Sequence, residues 1–306
     1  MYVSMKDILD KAADGNYAVI ACSPINMEMA RAMVAAATDK NAPIIFLLGQ
    51  NMMRLHAKAE LMIPLIKTLA EYTPVPIATC LDHGNDPERI SYAFRNGFSS
   101  IMIDGSQYPM EKNIEETRKV IELCRRHGLA VEAEIGHVGI AANHDGQDSS
   151  QYTSVEDARY FVQQVEPDCL AIAVGTAHGE YPKGVVPHIN YERIRAVKEA
   201  TGNIPLALHG GSGSGDGAIV KSVEAGINKI NVVTDIMLEA RAYLVNTLSA
   251  NPKIAFIDLM AGMEQAVRSI TAHWIDLSGS AGRAQGFMMP NRFYTLTSKS
   301  AQGKTE

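Results

Sequence analysis

Residues 205–213 read Pro-Leu-Ala-Leu-His-Gly-Gly-Ser-Gly, a short apolar run that ends in a histidine and a glycine-rich turn. Similar apolar runs recur along the chain at long, regular intervals, and most of them end in a small or polar residue. The eight runs are 18–25, 42–49, 75–82, 100–106, 131–136, 169–176, 205–211 and 229–235. Runs that are apolar almost throughout are typical of parallel strands, because such strands are buried on both faces under helices.

Segments with helical periodicity separate these runs. Segment 26–40 places Met29, Met33 and Ala36 on one helical face, and similar patterns occupy segments 113–127 and 187–201. Strands that alternate with helices predict an α/β protein, a (β/α)8 TIM barrel that forms a single domain.

The barrel is expected to span residues 1–283, followed by a polar, partly mobile C-terminal extension over 284–306. The alternative is an open, doubly wound sheet. Such a sheet would need a glycine-rich dinucleotide turn after its first strand, and residues 22–26 contain no glycine. The closed barrel is therefore the favoured architecture.

Length, charge and composition agree with one enzyme domain. The 306 residues fit a barrel of ~250 residues with insertions. The net charge of −6 argues against a nucleic-acid surface, which needs a basic stripe. The N-terminus lacks the pattern of a signal peptide, and no apolar run approaches the ~20 residues of a membrane helix. We expect a cytoplasmic protein with no membrane or nucleic-acid partner, and four buried, reduced cysteines.

Three histidines occupy equivalent positions, at or just after the ends of predicted strands. They are His83, His178 and His209, and a glycine follows each of them. Catalytic residues of a barrel project from the carboxyl ends of its strands, and imidazole is a favoured zinc ligand. A single histidine would more often have a structural role, but three at equivalent strand ends predict a divalent metal site. Asp82, next to His83, is either catalytic, a helix cap or a partner that orients a histidine.

Two polar segments near the carboxyl ends of the last two strands are typical of phosphate binding in barrels. They are the glycine-rich turn 210–213 and segment 231–234. Lys183 could add a positive charge, although an exposed surface role is about equally expected. A long polar loop, 137–152, follows the fifth strand and is expected to be a lid or a binding segment.

Several motifs resemble those of the class II, metal-dependent ketose-bisphosphate aldolases, the family of fructose- and tagatose-bisphosphate aldolases. They occur in the order of that family and span nearly the whole chain. The motifs are Leu81-Asp82-His83-Gly84, Met102-Ile103-Asp104-Gly105-Ser106, Val131-Glu132-Ala133-Glu134-Ile135-Gly136, Gly175-Thr176-Ala177-His178-Gly179-Glu180-Tyr181, Leu208-His209-Gly210-Gly211-Ser212-Gly213, Lys229-Ile230-Asn231-Val232-Val233-Thr234 and Gly279-Ser280-Ala281-Gly282.

The resemblance implies roles for individual residues. The three histidines would bind one Zn²⁺ per subunit, Asp82 would exchange a proton with the substrate hydroxyl, and Glu134 would be an alternate ligand or lie just behind the ligands. The substrate phosphate and a monovalent cation, Na⁺ or K⁺, would be held by Gly179, Gly210, Gly211, Ser212, Asn231, Val233 and Thr234.

The chain departs from the family pattern at several positions. Ala142 stands where the family usually has a loop glutamate that exchanges a proton at the nucleophilic carbon; His144, Asp145 or Asp148 would have to substitute for it. Val233 stands where fructose-bisphosphate enzymes often carry an aspartate, which favours a tagatose-type substrate or another sugar. Gly49 replaces a common substrate-contacting serine.

The resemblance therefore implies a lyase that cleaves a ketose 1-phosphate or a ketose bisphosphate to dihydroxyacetone phosphate and an aldehyde. A homodimer or homotetramer is expected. Two alternatives remain at this stage. One is a metal-dependent sugar-phosphate isomerase or epimerase on the same barrel, and the other is a non-catalytic sugar-phosphate-binding protein.

Overall fold

A closed barrel of eight parallel strands forms the centre of the computed structural model, which describes residues 1–143 and 151–287. Each strand pairs with the next along the chain, and β8 pairs with β1 to close the ring. The strands are β1 (Val19–Cys22), β2 (Ile44–Gly49), β3 (Ile77–Gly84), β4 (Ser100–Ile103), β5 (Ala130–Ile135), β6 (Cys169–Ile172), β7 (Leu206–Leu208) and β8 (Ile227–Val232). The predicted (β/α)8 TIM barrel is confirmed.

Helices surround the barrel and close its lower end. Those of the described residues are α1 (Met5–Asp14), α2 (Met27–Asp39), α3 (Gln50–Leu55), α4 (Ala59–Glu71), α5 (Pro87–Asn96), α6 (Met110–Arg125), α7 (Val155–Val165), α8 (Tyr191–Ala200), α9 (Asp216–Ala225), α10 (Thr234–Ala250) and α11 (Phe256–Ser278). A short 3-10 helix, Ala141–Asn143, lies in the loop after β5.

Several predicted boundaries were wrong by a few residues. The run 169–176 outlasts β6, because Ala173 and Val174 stay buried while they bond to loop backbone instead of to a strand. The run 229–235 extends into α10, which begins at Thr234. The helix predicted over 187–201 begins later, at Tyr191. Asn190 caps it, because its side chain accepts a hydrogen bond from the Arg193 backbone N–H. Residues can stay buried after the hydrogen bonds between neighbouring strands have ended, so a prediction from hydrophobicity alone overestimates strand length.

Apolar residues form two separate cores. The larger core lies between the strands and the surrounding helices and includes Phe46, Phe161 and Trp274. The smaller core fills the inside of the barrel, where Met5 and Leu9 of α1 pack against the inward faces of the strands. Helix α1 thus seals the end of the barrel opposite the strand carboxyl ends, and leaves only that upper end open.

One ion pair is buried completely inside the barrel. The Lys229 ammonium lies 2.9 Å and 3.1 Å from the two carboxylate oxygens of Glu132, and neither side chain is exposed to solvent. Lys229 also donates a bond of 2.6 Å to the Asn231 side-chain oxygen. Buried charges are tolerated when they are paired and hydrogen-bonded, and both conditions are met here.

All four cysteines are buried and free, as the sequence predicted. No helix within the described ranges has the length and apolar character needed to cross a membrane.

Lys229→Met is expected to lower the free energy of unfolding by about 3–5 kcal/mol, because it leaves the Glu132 carboxylate buried without its cation. Denaturant unfolding of metal-free protein measures the loss. In the double variant Lys229→Met/Glu132→Gln, which removes both charges, much of the stability is expected to return. A double variant that loses the sum of the two single losses would show that the pair is not coupled.

Candidate metal centre

A bulge at the end of β3 brings two adjacent side chains to the same side. The pairing of β3 with β4 shifts register between Leu81 and Gly84, and His83 adopts a left-handed backbone with φ of 54°. Adjacent residues of a regular strand point to opposite faces, but a bulge re-aims one of them. Asp82 and His83 consequently both line the cavity at the carboxyl end of the barrel.

The three predicted histidines meet above the barrel core. The ring centroid of His83 lies 5.0 Å from that of His178 and 5.0 Å from that of His209, and the last two are 5.5 Å apart. One nitrogen from each ring can be chosen so that all three lie within 4.8 Å of one another. The rings meet edge to face rather than stacked, so their nitrogens converge.

In each of the three rings, one nitrogen contacts a protein partner on the side away from the other two rings. Nδ1 of His83 lies 2.7 Å from Asp104, and Nε2 of His209 lies 3.0 Å from Glu132. The ring of His178 bonds to the backbone of Val138. Such partners fix the tautomer and the orientation of a metal-binding imidazole.

The remaining ring nitrogens fit a metal ion. Nε2 of His178 and Nδ1 of His209 are buried and have no hydrogen-bond partner among the described residues. Buried polar atoms are rarely left unpaired, so these two nitrogens indicate a missing partner. Two imidazole nitrogens without protein partners, with Nε2 of His83 beside them, form a donor set that suits a catalytic zinc ion.

Glu134 lies close to the same point. Its Oε2 is buried and unpaired among the described residues, 3.7 Å from Nδ1 of His209 and 3.9 Å from Nδ1 of His83. With His83 and Asp104 it forms a second group whose ligand atoms lie within 4.8 Å of one another. The geometry suits an alternate ligand or a partner behind the three histidines.

The electrostatics of the cluster favour a cation. Burial lowers the pKa of His83, but the negative charges of Asp82, Asp104 and Glu134 outweigh it and raise that pKa to about 10. Burial and the charge of Asp104 raise the pKa of Glu134 to about 8. Asp82 and Asp104 therefore favour positive charge at this point, either as a proton on the ring or as a metal ion, and a cation there would also favour ionisation of Glu134.

The other two rings are disposed to be neutral, as metal ligands must be. Burial, with the neighbouring rings of His209 and His83, lowers the pKa of His178 to about 3. Burial likewise lowers the pKa of His209.

A hydrogen-bonded chain links Asp82 to the metal cluster through the barrel interior. Asn231 donates from Nδ2 to Oδ1 of Asp82 over 3.4 Å, and accepts from Lys229, which pairs with Glu132 behind His209. Helix α5 is capped by Asp86, so the cap role considered for Asp82 is wrong.

Asp104, Glu132 and Lys229 also belong to the site, and no role was predicted for them from the sequence. A signal was available for two of them. Glu132 and Lys229 are charged residues inside otherwise apolar strands, and a charge at such a position needs a partner of opposite sign. Asp104 stands at the end of β4 in a recognised motif, but only the fold shows which histidine it contacts.

The cavity above the cluster has a volume of about 580 Å³. Of the predicted phosphate-binding residues, it is lined by Gly179, Gly210, Ser212, Asn231, Val233 and Thr234. Helix α10 starts at this wall; its N-cap residue Val233 makes no side-chain cap bond, and the Ser212 hydroxyl accepts from the Asp235 N–H of its first turn. The free N–H groups and the dipole of a helix N-terminus attract anions.

Gly210 shows why glycine follows a histidine here. Its φ is 65°, and a β-carbon at this position would come within 2.3 Å of the Ala177 carbonyl oxygen. The two histidine loops, after β6 and β7, thus touch backbone to backbone. Glycine at this position therefore serves close packing between the two loops.

The other predicted residues lie elsewhere. Gly211 is buried behind the cavity wall against Ile230, and Lys183 is exposed and does not line the cavity. Ala142 is exposed on the 3-10 helix after β5. The loop candidates His144, Asp145 and Asp148 lie outside the described residues.

Comparisons with known proteins agree with this site. A family profile described as fructose-bisphosphate aldolase class-II matches residues 3–283. A probable fructose-bisphosphate aldolase from Bacillus subtilis (strain 168) is 35% identical, over 82% of this chain and 87% of that protein. A fructose-bisphosphate aldolase from Thermus caldophilus is 33% identical, over 93% of this chain and all of that protein.

Solved structures show the same relationship. The YdjI aldolase from Escherichia coli K12 superposes with a TM-score of 0.82 at 29% identity, over 93% of this chain and all of that one. A putative fructose-1,6-biphosphate aldolase from Coccidioides immitis gives a TM-score of 0.78 at 28% identity, over 92% and 97% of the two chains.

The family match covers most of the chain and includes all three histidines and Asp82. Together with the aldolase neighbours it does not favour a sugar-phosphate isomerase or a non-catalytic binding protein. The chain belongs to the class-II fructose-bisphosphate aldolase family and is a metal-dependent lyase that cleaves ketose phosphates.

Proposed function

We propose that this chain cleaves a ketose phosphate to dihydroxyacetone phosphate and an aldehyde at a zinc ion held by His83, His178 and His209. The convergence of three imidazoles, with two buried nitrogens unpaired among the described residues, carries the proposal. A divalent ion bound there would supply a Lewis acid that stabilises negative charge on the ketose carbonyl oxygen.

Asp82 is proposed as the base that takes the proton from the substrate hydroxyl. Loss of that proton turns the carbinol carbon into the aldehyde as the adjacent carbon–carbon bond breaks, and the bonding electron pair stays with the ketone fragment. In the reverse direction Asp82 returns the proton to the alkoxide. Its carboxylate lies 4.0 Å from His83 and accepts a bond from Asn231, so it is held beside the metal cluster.

The phosphate of the substrate is assigned to the wall formed after β7 and β8, with contributions from Gly179, Gly210 and Ser212; Gly211 is a weaker candidate because it does not line the cavity. Segment 231–234 and the start of α10 complete this wall. Backbone N–H groups and the helix dipole supply the attraction, and a Na⁺ or K⁺ ion bound nearby would offset part of the phosphate charge. Lys183 stays a weaker candidate because it is exposed.

Glu134 is proposed as an alternate metal ligand, since its carboxylate lies among the same nitrogens. The ketone fragment must also gain a proton at the carbon that lost its partner. Ala142 offers no acidic group, so that proton is assigned to His144, Asp145 or Asp148.

The domain bounds, the oligomeric state and the cellular location are also proposed. Residues 1–283 are taken as the barrel domain and 284–306 as an extension. A homodimer or homotetramer in the cytoplasm is the expected form.

Asp82→Asn is expected to lower the turnover number for cleavage by about 10²–10⁴-fold, the usual contribution of a general base. Bound metal should stay unchanged, because the three histidines remain. Exchange of the dihydroxyacetone phosphate C–H proton with solvent deuterium, followed by NMR, should also persist, since Asp82 acts on the other fragment. Loss of both metal and exchange would mean that Asp82 is structural.

His83→Ala is expected to abolish activity and to weaken zinc binding by more than about 100-fold, because it removes a direct ligand. Competition with a coloured chelator measures the affinity. Asp104→Asn is the matched control: it keeps the ring but alters its partner, and should weaken binding by about 10–100-fold. Full activity of metal-free protein would refute the zinc assignment.

Three loop variants, His144→Ala, Asp145→Asn and Asp148→Asn, test which residue replaces the usual loop glutamate. The one that carries the proton is expected to slow deuterium exchange into dihydroxyacetone phosphate by about 10²-fold or more, and the other two serve as controls. Wild-type exchange in all three variants would remove the loop from the mechanism.

A further inference from the structure

We propose that the substrate carries a single phosphate: it is a ketose 1-phosphate whose far end is an uncharged, hydroxylated chain, and not a bisphosphate. This inference rests on the proposed function and narrows its substrate class. It follows from the unequal chemistry of the two walls of the cavity.

One wall is built to hold an anion. It carries Gly210 and Ser212 after β7 and Thr234 after β8, where α10 begins. The Ser212 hydroxyl accepts from the Asp235 N–H in the first turn of this helix. The donors of this wall come from backbone and hydroxyl groups, which suit one phosphate close to the barrel rim.

The other wall is formed by residues that follow β2, β4 and β5. In a closed ring of eight strands β4 lies directly across the barrel from β8, and β2 and β5 each lie two strands away from the β7–β8 pair. The residues that line the cavity there are Met52, Gln107, His137, Val138, Ile140 and Asn143. They offer apolar surface, amides and one imidazole.

No lysine or arginine lines the cavity among the described residues. Asp82 and Asp104 bring carboxylates to the cavity. A second phosphate dianion would enter this space without a counter-charge, and an unpaired charge is costly to remove from water.

On this side α5, after β3, and α7, after β5, are capped by the side chains of Asp86 and Ser154, each of which occupies an N–H group of the first turn. Helices α3, after β2, and α6, after β4, begin without a side-chain cap, but α3 has only six residues and the first turn of α6 does not line the cavity. At the start of α10 the Ser212 hydroxyl accepts from the Asp235 N–H, and both Ser212 and Thr234 line the cavity.

His137 supplies an imidazole to this wall. Its Nδ1 is buried and has no hydrogen-bond partner among the described residues, although the residue lines the cavity. Gln107 and Asn143 line the same cavity with side-chain amides. An imidazole and two amides can each donate to or accept from sugar hydroxyls, and a hydroxylated chain satisfies them without a charge.

The zinc-loaded enzyme is tested in the direction of synthesis with dihydroxyacetone phosphate and two aldehydes, glyceraldehyde and glyceraldehyde 3-phosphate. The unphosphorylated aldehyde is expected to give a kcat/KM at least ten times higher. An equal or higher value for the phosphorylated aldehyde would overturn the inference. No product from either aldehyde, with metal bound, would refute the proposed function instead.

Two variants of Gln107, an exposed residue, identify the cause of the preference. Gln107→Arg adds a cation to the wall and is expected to raise kcat/KM for glyceraldehyde 3-phosphate at least fivefold. Gln107→Met, of similar length and uncharged, should not raise it. Equal values for the two variants would mean that charge does not set the preference.

His137→Ala is expected to raise KM for glyceraldehyde at least fivefold and to leave KM for dihydroxyacetone phosphate unchanged. His137→Asn, which keeps a polar atom, should recover part of the loss. An unchanged KM for glyceraldehyde in His137→Ala would show that the imidazole does not contact the aldehyde fragment.

Discussion

The Glu132 carboxylate is the contact on which the geometry of the upper barrel depends. Its Oε1 accepts from the Lys229 ammonium and bonds to Nε2 of His209, and all three side chains are fully buried. Because both partners meet at one buried carboxylate oxygen, the positions of Lys229 and His209 are fixed together. The orientation of one proposed metal ligand is thus set from within the hydrophobic interior of the barrel.

The same contact reaches the acid–base side of the cavity. Lys229 donates to Asn231, and Asn231 donates to Asp82, so one hydrogen-bonded chain passes from the His209 ring to the proposed base. Asp82 and His83 share the bulge at the end of β3, where the left-handed backbone of His83 costs about 1–3 kcal/mol. A strained residue of this kind persists only where its surroundings hold it, and here Asp104 holds the ring from behind.

Sequence reasoning could reach the barrel and the three histidines because both follow from local patterns. Eight apolar runs ending on one rim predict a ring of strands, and histidines at their ends must then face one another. The Lys229–Glu132 pair could not be reached in this way, since two charges in separate strands reveal their pairing only through the strand register. The bulge at Asp82 was likewise invisible, because it arises from the pairing of β3 with β4 and not from composition.

The errors in the predicted strand boundaries have a related physical cause. Ala173 and Val174 are as buried as residues within a strand, although β6 has already ended.

The charges around the cavity distinguish two parts of it: the metal and phosphate sites, and the wall that faces the rest of the substrate. The histidine cluster and its carboxylates favour one cation, and the wall at the start of α10 favours one anion, which fits the proposed single metal and single phosphate. The wall formed after β2, β4 and β5 has no positive side chain among the described residues, and a charge placed against it would lose hydration without compensation. The proposed substrate choice is therefore set at the residues after β2, β4 and β5, which do not participate in the metal cluster apart from Asp104.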